Sequence, residues 1–286
     1  MAIEKDILMA TSFEPASTPR LRCELHNAIT HFAHSTFECD MTDPHSIELV
    51  HFGSKRWANY FKVVLLGLQS VLPPEVRQNA HGTIKVLVDG TVPPESSLSS
   101  SAAMTTCSSI VILTALKALH VVPRKVIADV ACHSERLVGV HSGGMDQAVS
   151  VFGQRDKALF VSFAPTLHVS PIELPLGHQY VFLVTNTMIK SDKKATAPER
   201  YNLRVVETRL AAAVLKRVLQ TKSDIPIQFR DTLRSVSDTF WAGHTGEWDE
   251  IVHEFDDVRH ACNDLGLDAG HIQACLLYTS DAADEG

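Results

Sequence analysis

The sequence predicts a mixed α+β fold, and three observations carry that reading. Ile84 to Val88 is an apolar, β-branched run of the kind that forms a buried strand. Ala102 to His120 shows helical spacing with almost no charge before Lys117. Between them, Gly90 to Ala103 is rich in small residues, so strand, loop and helix start follow one another directly. With 286 residues and 45% hydrophobic content the chain can bury a full core, as one large domain or two smaller ones.

In chain order, Met1 to Ala10 reads as a strand, and Thr11 to Phe52 as strand pieces joined by loops with Pro, Ser and His punctuation. Arg56 opens an amphipathic helix toward Leu72, which Pro73 and Pro74 stop. Lys125 to Val140 reads as a helix with Val126, Val130, Leu137 and Val138 on one stripe, and Glu135 lies on it. After Asp146, a turn at Gln154 to Asp156 leads into a strand from Ala158 to Phe163. Pro171 to Leu176 and Tyr180 to Thr185 are further strands, separated by Gly177. Tyr201 opens a helix with Val205, Leu210, Ala213, Val214 and Val218 at helical spacing. Gln220 to Arg230 is a linker, followed by helical segments to about Asp264.

A small-residue loop at a helix start leaves backbone N–H groups unpaired where the helix dipole favours negative charge. Ser99, Ser100 and Ser101 can approach a phosphate closely and add hydroxyl donors or a metal ligand. A serine-rich turn with a simple N-cap is the plainer reading. Gly143-Gly-Met-Asp-Gln147 sharpens the choice, because Asp146 on a flexible, closely approached backbone suits a general base.

A net charge of −7 argues against nonspecific nucleic-acid binding. The six cysteines form no C-x-x-C pair and read as reduced core thiols of a cytoplasmic protein. No cationic-then-apolar leader opens the sequence, and no apolar run reaches membrane-spanning length. The fifteen histidines lack an H-E-x-x-H spacing and read as ordinary surface and core positions. The stretch from Cys275 onward looks like the translation of a sequencing adapter, the alternative being an ordinary acidic tail.

Leu98-Ser-Ser-Ser-Ala102 and Gly143-Gly-Met-Asp-Gln147 resemble the galactokinase branch of the GHMP small-molecule kinases. Thr196-Ala-Pro-Glu-Arg-Tyr-Asn-Leu-Arg-Val-Val-Glu207 continues the match and looks like the fungal members in particular. The resemblance runs from Met1 to about Leu219. It implies a two-lobed fold with a ribosomal protein S5 domain 2-like first lobe over 1–174 and an incomplete second lobe over 175–274, while the adapter-like sequence of 275–286 reads as non-native. The family's first motif and its third, Gly-rich motif are missing, so the resemblance implies a fragment cut at both ends, the parent active and the fragment not.

The implied chemistry is transfer from ATP, with Mg²⁺, to the anomeric hydroxyl of galactose. Asp146 would be the base, while Gly143, Asp146 and Tyr201 would bind the sugar. Ser97, Ser99, Ser100 and Ser101 would hold the nucleotide phosphates, and Ser101 with Glu135 the Mg²⁺. Trp57 is a packing anchor from its own sequence context and an adenine neighbour by resemblance; Glu135 is solvated in the first view and a metal ligand in the second. Glu95 and Ser97 stand where the family carries glycines, and a carboxylate at Glu95 would repel a nucleotide. Two other functions fit the same resemblance: a galactose- and ATP-binding inducer that sequesters a transcriptional repressor, and an N-acetylgalactosamine kinase. Retention of Ser101-Ala102-Ala103 favours the kinase over the inducer.

Overall fold

The computed structural model describes residues 5–163, 166–173, 183, 185, 202–222 and 232–243. The chain divides into two compact units, Met1–Val161 with Val169–Ala195, and Ser162–His168 with Thr196–Gly286.

In the first unit, β1 (Ile7–Pro15), β2 (Leu21–Asn27), β3 (Ser35–Cys39) and β4 (Gly82–Gly90) form one sheet in the order β1-β4-β2-β3. β4 runs antiparallel to β1 and parallel to β2, while β2 and β3 are antiparallel. Alternation sets the two faces. Leu21, Cys23 and Leu25 of β2 and Ile84, Val86 and Val88 of β4 are buried, and Cys23 sits opposite Ile84 and Leu25 opposite Val86. On the other face, Arg22 pairs with Glu24 at 2.9 Å and Lys85 with Glu14 at 2.7 Å. A sheet with one packed and one wet face needs helices on one side only.

Those helices are α1 (Asn59–Val71), α3 (Ser100–Ala115), α4 (Arg124–Arg136) and α5 (Met145–Phe152), with the short α2 (Pro74–Gln78) before β4. A 3-10 turn over Arg56–Ala58 leads into α1, so the structured stretch opens at Arg56 as its sequence predicts. Pro73 and Pro74 end α1, and Pro74 then serves as the first residue of α2. α3 packs against α1, α4, α5 and β1, which is why it carries no charged residue on any side.

The predicted helix from Ala102 to His120 starts two residues early and stops at Ala115. Lys117 takes φ 55°, its N–H donates to the Thr114 carbonyl, and the Ala118 N–H reaches back to the Leu113 carbonyl. That is a Schellman ending, built here without the usual glycine. The predicted apolar stripe on α4 is also corrected. Leu137 is past the helix and exposed, whereas Ile127, Val130, Ala131, Ser134 and Glu135 form the buried side.

β5 (Lys157–Ser162) and β6 (His168–Glu173) form a separate two-stranded sheet, reached through the turn at Gln154–Asp156, where Asp156 takes φ 60°. In the second unit α6 (Asn202–Lys222) packs on α7 (Leu233–Gly243). Ala211, Ala212 and Val214 of α6 are buried, while Leu210 and Ala213 are exposed, so its packed face is offset from the predicted spacing. The strand predicted over 180–185 and the segment 275–286 fall largely or wholly outside the described residues.

Candidate functional site

From the end of β4 the chain crosses to α3 through an unusual loop. Glu95, Ser97 and Ser99 take φ 58°, 58° and 55°, the left-handed region that favours glycine. For residues with a side chain this costs roughly 1–2 kcal/mol each, so the surrounding fold imposes the path. Glu95 and Ser97 stand where the resemblance leads one to expect glycines, and both take the left-handed backbone that glycine adopts without strain. Ser99 is the N-cap of α3, and no side chain caps the helix start. Its first N–H groups therefore remain donors toward the open side.

That start forms one wall of a cleft of about 310 Å³. Ser97, Ser99, Ser100, Ser101 and Glu95 line it from the loop and α3, Asp89 from β4, Arg56 and Trp57 from the 3-10 turn, and Tyr60 from the start of α1. Trp57 is the packing anchor that its sequence context predicts, and it also lines the cleft. It is buried, its Nε1 donates to the Ala33 carbonyl at 2.9 Å, and Phe32 lies 6.2 Å away centroid to centroid. Its remaining surface lines the cleft.

Behind Ser101 lies a buried carboxylate. Glu135 is 1% exposed, so the solvated reading is corrected. Its Oε1 accepts a hydrogen bond from Ser101 Oγ, and its Oε2 accepts from Ser142 Oγ at 3.1 Å and from Gln147 Nε2 at 2.5 Å. α4 at Glu135 is thus fastened to α3, to the loop before α5 and to α5. Ser142 is held in turn by Arg136 Nη2, which donates to its carbonyl at 3.4 Å. Burial pushes the neighbouring Cys132 thiol up, marking it as a packing group. Sequence reasoning missed Ser142 and Gln147. Gln147 closes the quoted glycine motif and Ser142 precedes it, so position was the only signal.

Gly144, at φ 99°, is the N-cap of α5, and Asp146 sits half-buried in that helix's first turn. The Asp146 carbonyl accepts from Ser150 Oγ at 2.9 Å. Gly143 is exposed. Gly143 and Asp146 are not among the residues lining the 310 Å³ cleft; Asp146 joins the cluster through the chain, next to Gln147. Tyr201 lies outside the described residues.

Among the described residues no group of three or more His, Cys, Asp or Glu is arranged to hold a metal. Ser101 and Glu135 offer one hydroxyl and one carboxylate in direct contact at the helix start. A cation needing a full protein cage does not fit that set. Mg²⁺ does, since it commonly uses one or two protein oxygens and completes its shell with phosphate and water. No helix among the described residues is long and apolar enough to cross a membrane.

Residues 59–154 match the family described as GHMP kinases N terminal domain. The chain is 30% identical over 262 residues to a galactokinase of Schizosaccharomyces pombe, covering 87% of this chain and 49% of the relative. It is 34% identical to galactokinases of Candida albicans and Saccharomyces cerevisiae, over 87% and 75% of this chain and 47% and 41% of theirs. The chain thus spans about half the length of the curated relatives it matches. A crystal structure of Lactococcus lactis galactokinase complexed with galactose aligns with a TM-score of 0.55 at 21% identity, over 91% of this chain and 59% of that one. This last likeness shows the shared fold.

Proposed function

We propose that the protein is a galactokinase, phosphorylating the anomeric hydroxyl of galactose at the expense of ATP, a reading supported by the match of residues 59–154 to the GHMP kinases N terminal domain. The observation that carries this reading is the bare start of α3, whose serines line a cleft while Ser101 bonds to the buried Glu135. The N–H groups and hydroxyls of Ser99, Ser100 and Ser101 hold the nucleotide phosphates, aided by the helix dipole. Ser97 contributes from the loop, and Trp57 flanks the adenine.

Ser101 and Glu135 would hold Mg²⁺, which when bound neutralises charge on the phosphates. Asp146 takes or orients the proton of the sugar's anomeric hydroxyl, whose oxygen forms the new bond to the γ-phosphorus as the bond to ADP breaks. Gly143 presents backbone to the sugar, and the sugar-binding role of Tyr201 rests on the sequence resemblance alone. In this reading residues 1–174 form the first lobe, 175–274 belong to the second, 275–286 lie outside the native fold, and the protein works in the cytoplasm. The similar proteins named above are galactokinases. No observation favours a repressor partner or an acetylated sugar.

The test is Asp146→Asn, assayed in the whole protein for galactose phosphorylation at saturating MgATP. Turnover should fall by about 10²–10⁴-fold, the usual worth of a positioned base. Near-normal turnover overturns the assignment.

A further inference from the structure

Gln147 is fully buried in the first turn of α5, directly after Asp146. Its Nε2 donates to Glu135 Oε2 and lies 3.4 Å from Ser142 Oγ, while its Oε1 has no hydrogen-bond partner among the described residues. The amide has one orientation that suits a carboxylate. Turned the other way, Oε1 would face Glu135 Oε2, acceptor against acceptor. The unpaired oxygen is therefore the consequence of presenting the NH₂ to Glu135. Packing alone does not explain such a side chain, since methionine has a similar volume and leaves no polar atom unpaired.

What the carboxamide adds is a connection. It fixes one oxygen of Glu135 and so leaves the other, Oε1, facing Ser101 at the start of α3. The same side chain anchors the turn of α5 that carries Asp146.

We propose that Gln147 is a positioning residue that orients Glu135 for the cation and holds the cation site and Asp146 in one frame. The inference rests on the kinase reading above. It adds a requirement for a donor at position 147, a group that touches neither nucleotide nor sugar. Partners that orient a metal ligand typically account for 10–100-fold in metal affinity when removed.

The test uses Gln147→Met, with Gln147→Asn as a milder variant that keeps an amide one carbon shorter. Mn²⁺ binding in the presence of ADP is titrated by electron paramagnetic resonance, and the melting temperature is recorded on the same samples. The Mn²⁺ dissociation constant should rise by about 10-fold or more in the methionine variant and by less in the asparagine variant. In the whole protein kcat should fall while KM for galactose stays put. A merely structural residue would lower the melting temperature and leave the affinity of the folded molecules unchanged. If folded Gln147→Met, or failing its folding Gln147→Asn, binds Mn²⁺ as the unaltered protein does, the inference is overturned and the kinase reading stands. If the unaltered protein binds no Mn²⁺ with ADP, the Ser101–Glu135 cation site fails and takes this inference with it.

Discussion

Replacing Glu135 by alanine removes the acceptor for three donors at once, Ser101 Oγ, Ser142 Oγ and Gln147 Nε2. Ser101 stands at a helix start beside the cleft and can turn to water, so its loss is small. Ser142 and Gln147 are buried, and a buried donor left without a partner costs about 1–3 kcal/mol. Two such donors set a gross cost of about 2–6 kcal/mol. Part of it is offset, because the desolvation of the carboxylate disappears with it and Gln147 Nε2 still has Ser142 Oγ at 3.4 Å. The expected net loss is about 2 kcal/mol. Glutamine at the same place should behave differently. Its NH₂ would oppose the NH₂ of Gln147, but Gln147 Oε1 is unpaired and a half-turn of that amide presents it as an acceptor. The loss should then stay below about 1 kcal/mol. Urea unfolding followed by circular dichroism gives both numbers. An alanine variant as stable as the unaltered chain, or a glutamine variant less stable than the alanine one, would refute the hydrogen-bond accounting.

Three further outcomes follow from the same structure. Glu95→Gly relieves a left-handed side chain at about 1–2 kcal/mol against a backbone entropy cost of about 0.5–1 kcal/mol, so stability should hold or rise slightly, and removing a carboxylate from the cleft should tighten ADP binding in a calorimetric titration; weaker binding would count against that loop as a phosphate site. Gly67→Ala should destabilise by about 1–3 kcal/mol, because a Cβ there would lie 2.4 Å from Ser134 Oγ and 3.0 Å from Val130 Cγ1; adding Ser134→Ala, which removes a buried hydroxyl without a partner, should recover part of the loss, and strictly additive effects in thermal melts would contradict the contact. Burial raises the Cys107 thiol to about 11, so its thiolate, the reactive form, is scarce at pH 8 and becomes abundant only as pH climbs through that value; iodoacetamide labelling at pH 8 read by peptide mass spectrometry should leave Cys107 unmodified until urea unfolds the chain.

Much of the site's frame was legible in the residues themselves. The β-branched run before Gly90 and the uncharged helical stretch after Ser99 place strand, loop and helix start where the structure has them. The burial of Glu135 was not legible, because a mid-helix glutamate beside an arginine is most often solvated, even on the apolar side of α4. A polar residue goes inside only when donors from other elements meet it, and those donors, Ser101, Ser142 and Gln147, lie 34, 7 and 12 residues away along the chain. The stop of α3 was hidden for a related reason: Lys117 adopts the left-handed conformation that glycine would have announced. Sheet order was out of reach because β1 finds its partner through Met9 opposite Val88, a pairing that no local pattern encodes.

The placement of β4 between β1 and β2 has a kinetic consequence. Of the contacts that build the four-stranded sheet, only the β2–β3 pairing is local; the other two ladders close on residues 82–90. During synthesis β1 and β2 emerge from the ribosome with no partner between them, and the middle of the sheet stays empty until β4 arrives. Closing loops of this span before any pairing is rewarded slows assembly. Meanwhile the apolar sides of β1 and β2 are open to association with other chains. A nascent chain arrested short of Gly82 should therefore depend on chaperones, and one extended past Ala115, with α3 available to cover the completed sheet, should be released from that dependence.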